Sequence, residues 1–167
     1  MMRRTDALPL GPLAGAGLGE AAWILRRARA VLHPAVMALV LSGSRGPRGG
    51  ARRDSDIDVS LLVYPRALAA VPQPAGLLRQ VTLTTLRSWK STVELDLAVV
   101  LDTSGCGLGC FLRDGRPCGR TAPLVNCFGV YKLQKGFHGY VTGIDLAIEK
   151  VRPMVTAWIA SGELNAD

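Results

Sequence analysis

The sequence predicts an α/β (α+β) domain built on a small mixed β-sheet. Three apolar runs carry that reading. Met37–Leu41 reads as a short buried strand, Ile57–Tyr64 as a second, and Val93–Leu101 has the strongest strand pattern in the chain. Two stretches at helical spacing, Glu20–Leu32 and Gly76–Trp89, alternate with them. At 167 residues the chain is long enough for one domain with a real core, and 49% apolar with 20% charged residues is an ordinary globular balance.

Taken in order, residues 1–19 read as a loose N-terminal arm. Met1-Met-Arg-Arg4 followed by Ala7-Leu-Pro-Leu10 imitates a signal peptide, but Asp6, Pro9, Pro12 and the glycines make a poor apolar centre. A cytoplasmic protein without a membrane span is expected, since no apolar run approaches the roughly 20 residues of a span. In the first helix Ile24, Leu25, Ala28, Val31 and Leu32 share a face from which Arg26, Arg27 and Arg29 are excluded; Pro34 stops it.

The first strand breaks at Ser42-Gly43-Ser44, and a loop of Gly, Pro and Arg leads to Asp56-Ile57-Asp58 at the start of the second. Strand side chains alternate, so Asp56 and Asp58 point one way and Ile57, Val59, Leu61 and Val63 the other. Two such carboxylates repel unless a cation sits between them. Facing a Gly-Ser turn and an Arg-rich loop, they suggest a divalent metal that meets a phosphate.

Pro72-Gln-Pro74 marks a loop before the second helix, whose Val81, Thr82, Thr84 and Thr85 are β-branched. On the third strand Glu94, Asp96 and Ala98 share one face and Val93, Leu95, Leu97 and Val99 the other. Beyond Leu101, Arg113-Asp-Gly-Arg116 is a hairpin-type turn, and 124–133 and 137–141 read as strands joined by Gln134-Lys-Gly136. From Ile144, apolar positions 147, 148, 151, 155, 158 and 159 predict an amphipathic helix kinked at Pro153 and ended at Gly162. The expected organisation is therefore an arm (1–19), a core (20–103) and an extension (104–167) that completes the same domain.

A strand, a Gly-Ser turn, about ten residues of loop and an Asp-x-Asp opening the next strand resemble the polymerase-β-like nucleotidyltransferase superfamily, which includes small "minimal" members. Gly43-Ser44 and Asp56-Ile57-Asp58 carry the resemblance, with eleven residues between Ser44 and Asp56. It implies a nucleotidyltransferase-like sheet with helices packed on one face, and a third carboxylate on a later strand. Asp96 would be that third carboxylate, with Glu94, on the same strand face, as its rival. The implied activity is metal-dependent transfer of a nucleoside monophosphate from a nucleoside triphosphate to an acceptor hydroxyl, with release of pyrophosphate. Asp56, Asp58 and Asp96 would be both the catalytic residues and the ligands of two Mg²⁺ (or Mn²⁺) ions, with Asp96 a candidate to take the acceptor's proton. Gly43 and Ser44 would bind the triphosphate, here taken as ATP or another nucleoside triphosphate, through the turn's N–H groups and the Ser44 hydroxyl. Arg45 and Arg53, with Arg48 and Arg52, are candidates for neutralising phosphate charge.

A second class of function stays open: an antitoxin-like, non-catalytic partner protein of a toxin–antitoxin module. The acceptor, a small molecule or a partner protein, is not legible, and nucleic acid is not the favoured one. The net charge of +7 comes from 16 Arg and 4 Lys against 13 acids, but the few aromatic residues are not interleaved with the basic ones. Cys106, Cys110, Cys118 and Cys127 contain only one pair at zinc-knuckle spacing, and are expected to be ordinary thiols.

Overall fold

The computed structural model describes residues 8–14, 17–103, 108, 128–141 and 153–161. Within them the elements run β1 (Leu8–Pro9), α1 (Glu20–Ala28), β2 (Val31–Leu32), β3 (Val36–Ser42), β4 (Ile57–Val63), α2 (Pro65–Ala69), α3 (Pro74–Ser88), β5 (Leu95–Asp102), β6 (Phe128–Lys132), β7 (Gly139–Val141) and β8 (Val155–Ile159). The expected mixed α/β class is what they form. A six-stranded sheet has the order β7-β6-β5-β4-β3-β8, and β1 pairs with β2 in a separate two-stranded ribbon. β4 and β5 are parallel, and every other pair in the large sheet is antiparallel.

The alternation seen in the sequence is realised as two apolar layers. Leu39, Leu41, Ile57, Val59, Leu61, Leu95, Leu97 and Val99 face one side, where Ile24 and Leu25 of α1, Leu68 of α2 and Leu78 and Val81 of α3 pack against them. All three helices thus bury into the same layer. Ala38, Val40, Leu62, Val100 and Val130 form a second cluster on the opposite face. Burying so many Leu, Ile and Val side chains, at about 1.5–3 kcal/mol each before entropy is counted, fixes which face each strand turns toward the helices. A one-residue slip of β4 would send Asp56 and Asp58 into that layer.

Three local expectations change. Helix α1 ends at Ala28, not Leu32, because Arg29 turns left-handed (φ 50). Val31 is then satisfied by α3: its N–H donates to Ser88 Oγ (2.9 Å) and its carbonyl accepts from Thr85 Oγ1 (3.1 Å). Residues 31–32 form β2 and pair with Leu8–Pro9, and Leu10, Leu13 and Leu18 pack on the core, so this part of the N-terminal stretch is anchored.

The third change is in the C-terminal segment. Val155–Ile159, predicted as the second half of a helix, is strand β8, paired antiparallel with β3. β3 already has β4 on one edge; β8 supplies hydrogen-bond partners for the other, with Ala157 and Trp158 buried in the core cluster that the helices also join. Tertiary pairing of β-branched Val155 and Thr156 overrides a helical period that spanned few residues. The earlier half of that predicted helix, residues 144–152, lies outside the described residues, as do the hairpin turn at 113–116 and all four cysteines. The β-branched threonines of α3 are accommodated by back-bonding: Thr82 and Thr84 donate to the carbonyls of Leu78 and Gln80 at 2.8 and 2.7 Å.

Candidate functional site

The carboxylates meet because of strand register. In the antiparallel β3–β4 pair Ser42 lies opposite Asp58, and in the parallel β4–β5 pair Asp58 lies opposite Asp96. The end of β3 and the starts of β4 and β5 are therefore at one end of the sheet, on the face away from the helices. Asp56, Asp58 and Asp96 are each half-buried and bring carboxylate oxygens within 4.8 Å of one another. Glu94 does not join them. Its carbonyl accepts the Ile57 N–H (2.9 Å) ahead of β5, and its side chain is exposed. Among the described residues Asp96 is the third member of the cluster.

Gly43 is demanded by this packing. It has φ +68, and a Cβ there would lie 2.0 Å from Asp58 Oδ2. The missing side chain makes room for the Asp58 carboxylate, a tighter requirement than approach to a phosphate. Gly43→Ala is therefore predicted to cost about 1 kcal/mol or more from the left-handed backbone alone, and to push Asp58 out of the cluster besides. The check is thermal melting with and without Mn²⁺. A variant that melts and responds to metal like the wild type would show that the turn can shift without cost.

Arg45 holds the loop. Its Nε donates to the Ser55 carbonyl (2.8 Å) and one Nη to those of Arg52 and Arg53 (3.2 Å each), while the other approaches Glu20 at 3.6 Å. Only 7% of its side chain is exposed, so its donors act as a clamp that delivers the chain to Asp56. Arg48 and Arg53 are exposed in the same loop, and Arg52 makes a solvent-exposed pair with Asp54 at 3.8 Å that is worth little. Ser44 is half-buried at the turn.

Two residues that the sequence reading did not single out complete the site. Lys132 at the end of β6 places Nζ 2.6 Å from Asp96 Oδ1. Lys135, in the turn that follows, places Nζ 2.6 Å from Asp56 Oδ2 and 2.9 Å from Asp96 Oδ2. The Lys132 contact is close but not aligned as a hydrogen bond, which leaves buried Asp96 Oδ1 with charge pairing and no hydrogen-bond partner. The available sequence signal was slight: two of the four lysines of an Arg-rich chain stand three residues apart at a strand end.

The cations and the burial divide the carboxylates electrostatically. Burial, then the charges of Asp56 and Asp96 and a hydrogen bond with Asp96, push Asp58 up to about 6, with Lys135 opposing. Burial also raises Asp96, but the close ammonium of Lys132 and the hydrogen bond and charge of Lys135 outweigh it and hold that carboxyl below its usual range. The hydrogen bonds to Asp56 and then Asp96 hold Lys135 firmly protonated. Beside the carboxylates lies a cleft of about 240 Å³, polar where Ser42, Ser60 and Lys132 line it and apolar at Val130, Phe137 and Val141.

This donor set fits a hard divalent ion. It offers three convergent carboxylates, one of them raised by burial and by repulsion, one carrying a buried oxygen without a hydrogen bond, and an ammonium already standing between two of them. Compared with protein-family models, curated proteins and solved structures, the chain has no significant match in any of the three. No helix among the described residues is long and apolar enough to cross a membrane.

Proposed function

We propose that this chain is a polymerase-β-like nucleotidyltransferase that moves a nucleoside monophosphate from a nucleoside triphosphate to an acceptor hydroxyl. The observation that carries the reading is the register that sets Asp58 beside both Ser42 and Asp96, next to the Gly43-Ser44 turn. Asp56, Asp58 and Asp96 would hold Mg²⁺ or Mn²⁺, which when bound supplies Lewis-acid stabilisation of the phosphoryl oxygens and lowers the acceptor's pKa. The Gly43-Ser44 turn offers N–H groups and a hydroxyl to the triphosphate, with Arg45 fixing the loop behind it. In the transfer, the acceptor oxygen forms a bond to the α-phosphorus, the bond to the pyrophosphate oxygen breaks, and the acceptor proton passes to a carboxylate. Asp96 is the family-implied recipient, but with both lysines in contact its basicity is low; it gains proton affinity when Lys135 withdraws. The cleft beside the carboxylates is a place for the acceptor.

A second reading has its own observation. Lys132 and Lys135 neutralise much of the carboxylate charge internally, as suits a non-catalytic partner protein of this fold, such as an antitoxin. The deciding experiment incubates the protein with each α-labelled nucleoside triphosphate, Mg²⁺ and cell extract, and identifies what becomes labelled. Labelling by the wild type and not by Asp58→Asn is the expected result. Equal labelling by both proteins, or none from any triphosphate, would count against the enzyme.

A further inference from the structure

The turn between β6 and β7 is built to deliver a cation. Gln134 lies flat against β5: its Oε1 accepts the Leu97 N–H (2.8 Å) and its Nε2 donates to the Leu95 carbonyl (2.9 Å). It thus grips the backbone on both sides of Asp96. The Gln134 carbonyl accepts the Phe137 N–H at 3.0 Å, closing the turn. Between them Lys135 stands at φ 53, a conformation disfavoured for a residue with a side chain, and Gly136 follows at φ 83. The reward for that backbone is the placement of Lys135 Nζ between Asp56 and Asp96.

Resting on the proposed metal-binding role of the carboxylates, we propose that Lys135 is a tethered competitor of the divalent ion: the ion enters only when the Lys135 side chain swings out. Geometry and charge both favour it. An ion bridging Asp56 and Asp96 needs oxygens at about 2.1 Å, and the ammonium already lies 2.6 and 2.9 Å from one oxygen of each. Three carboxylates against two ammoniums leave one negative charge. A divalent ion added with Lys135 in place would make the cluster positive, with two cations on the same oxygens; exchange of Lys135 for the ion leaves it neutral. Exposure decides which lysine moves. The Lys135 side chain is 46% exposed and has solvent to move into, whereas that of Lys132 is 15% exposed and stays with Asp96. Lys135 is thus a gate on metal loading.

The test is a Mn²⁺ titration read by the electron paramagnetic resonance of free Mn²⁺, at neutral pH and without nucleotide, on protein whose cooperative melting has been verified. Lys135→Met and Lys135→Gln are expected to bind Mn²⁺ at least tenfold more tightly than the wild type, and Lys135→Arg, which keeps the charge, to stay near it. Adding Asp58→Asn to Lys135→Met should abolish the gain. Lys135→Met and Lys135→Gln binding no tighter than wild type, while Asp58→Asn still weakens binding, overturns the gate and leaves the metal site standing. Binding that ignores Asp58→Asn in every background, or is absent throughout, removes the metal site and the gate with it.

Discussion

Asp58→Asn is expected to lower Mg²⁺-dependent nucleotidyl transfer by at least on the order of 10³-fold, while raising the melting temperature of the metal-free protein at neutral pH. The two effects come from one cause. Asp58 is crowded by burial and by Asp56 and Asp96, which push its carboxyl up to about 6. The unfolded chain has its Asp near 3.9. A folded pKa above the unfolded one means that the folded state favours the protonated carboxyl. That contribution to stability is complete below about pH 4 and is lost as the pH rises through 6. At pH 7 the wild type therefore carries an ionised group in an unfavourable place. Asn, of the same shape, removes the charge. For a half-buried group, screened by solvent, the relief is on the order of 1 kcal/mol, or a rise of about 2–4 °C. Melting curves at pH 4 and pH 7 check the sign: the advantage of the variant should appear at pH 7 and vanish at pH 4. A pronounced fall in melting temperature at pH 7 would instead make Asp58 a structural residue.

Asp96→Asn is expected to abolish transfer to a similar degree but to move stability in the opposite direction. Lys132 and Lys135 both rest on this carboxylate, at 2.6 and 2.9 Å, and they hold its pKa below the usual range against the effect of burial. A depressed folded pKa contributes stability that is present above the unfolded value, near 3.9, and is lost as the pH falls through the folded one. The variant leaves Lys132, whose side chain is only 15% exposed, facing a neutral amide. That costs about 1–3 kcal/mol at pH 7, and the two proteins should converge in acid. Triphosphate binding should be largely spared, because Asp56, Asp58 and the Gly43-Ser44 turn are untouched. Glu94→Gln, an exposed side chain outside the cluster, should change neither property. Full activity of Asp96→Asn, or its loss in Glu94→Gln, would transfer the role to Glu94. Two carboxylates opposite each other on adjacent strands thus differ in sign because, of the two, Asp96 is the one in direct contact with Lys132 and Lys135.

The candidate site was legible as far as residue type and alternation reach. Asp56 and Asp58 two apart, with Ile57, Val59 and Leu61 between and beyond them, required both carboxylates on one face, since apolar burial fixes the other. The central strands and α3 followed from the same periodicity, and the break at Ser42-Gly43-Ser44 marked the turn. Alternation put Asp96 and Glu94 on one strand face, and only the family resemblance preferred Asp96.

Tertiary structure decided what depends on contacts between distant parts of the chain. The parallel register of β4 with β5 chose Asp96. The open edge of β3 drew Val155–Ile159 into a strand where seven apolar positions had predicted a helix. Hydroxyls of α3, 54 and 57 residues along, hold Val31 outside α1, beyond its left-handed end at Arg29. Lys135 reaches its two carboxylates across 39 and 79 residues, and nothing local in Lys132-Leu-Gln-Lys135 indicates an anionic partner. A period reports which face a residue occupies within its own element; only the pairing of elements reports which charges meet across them.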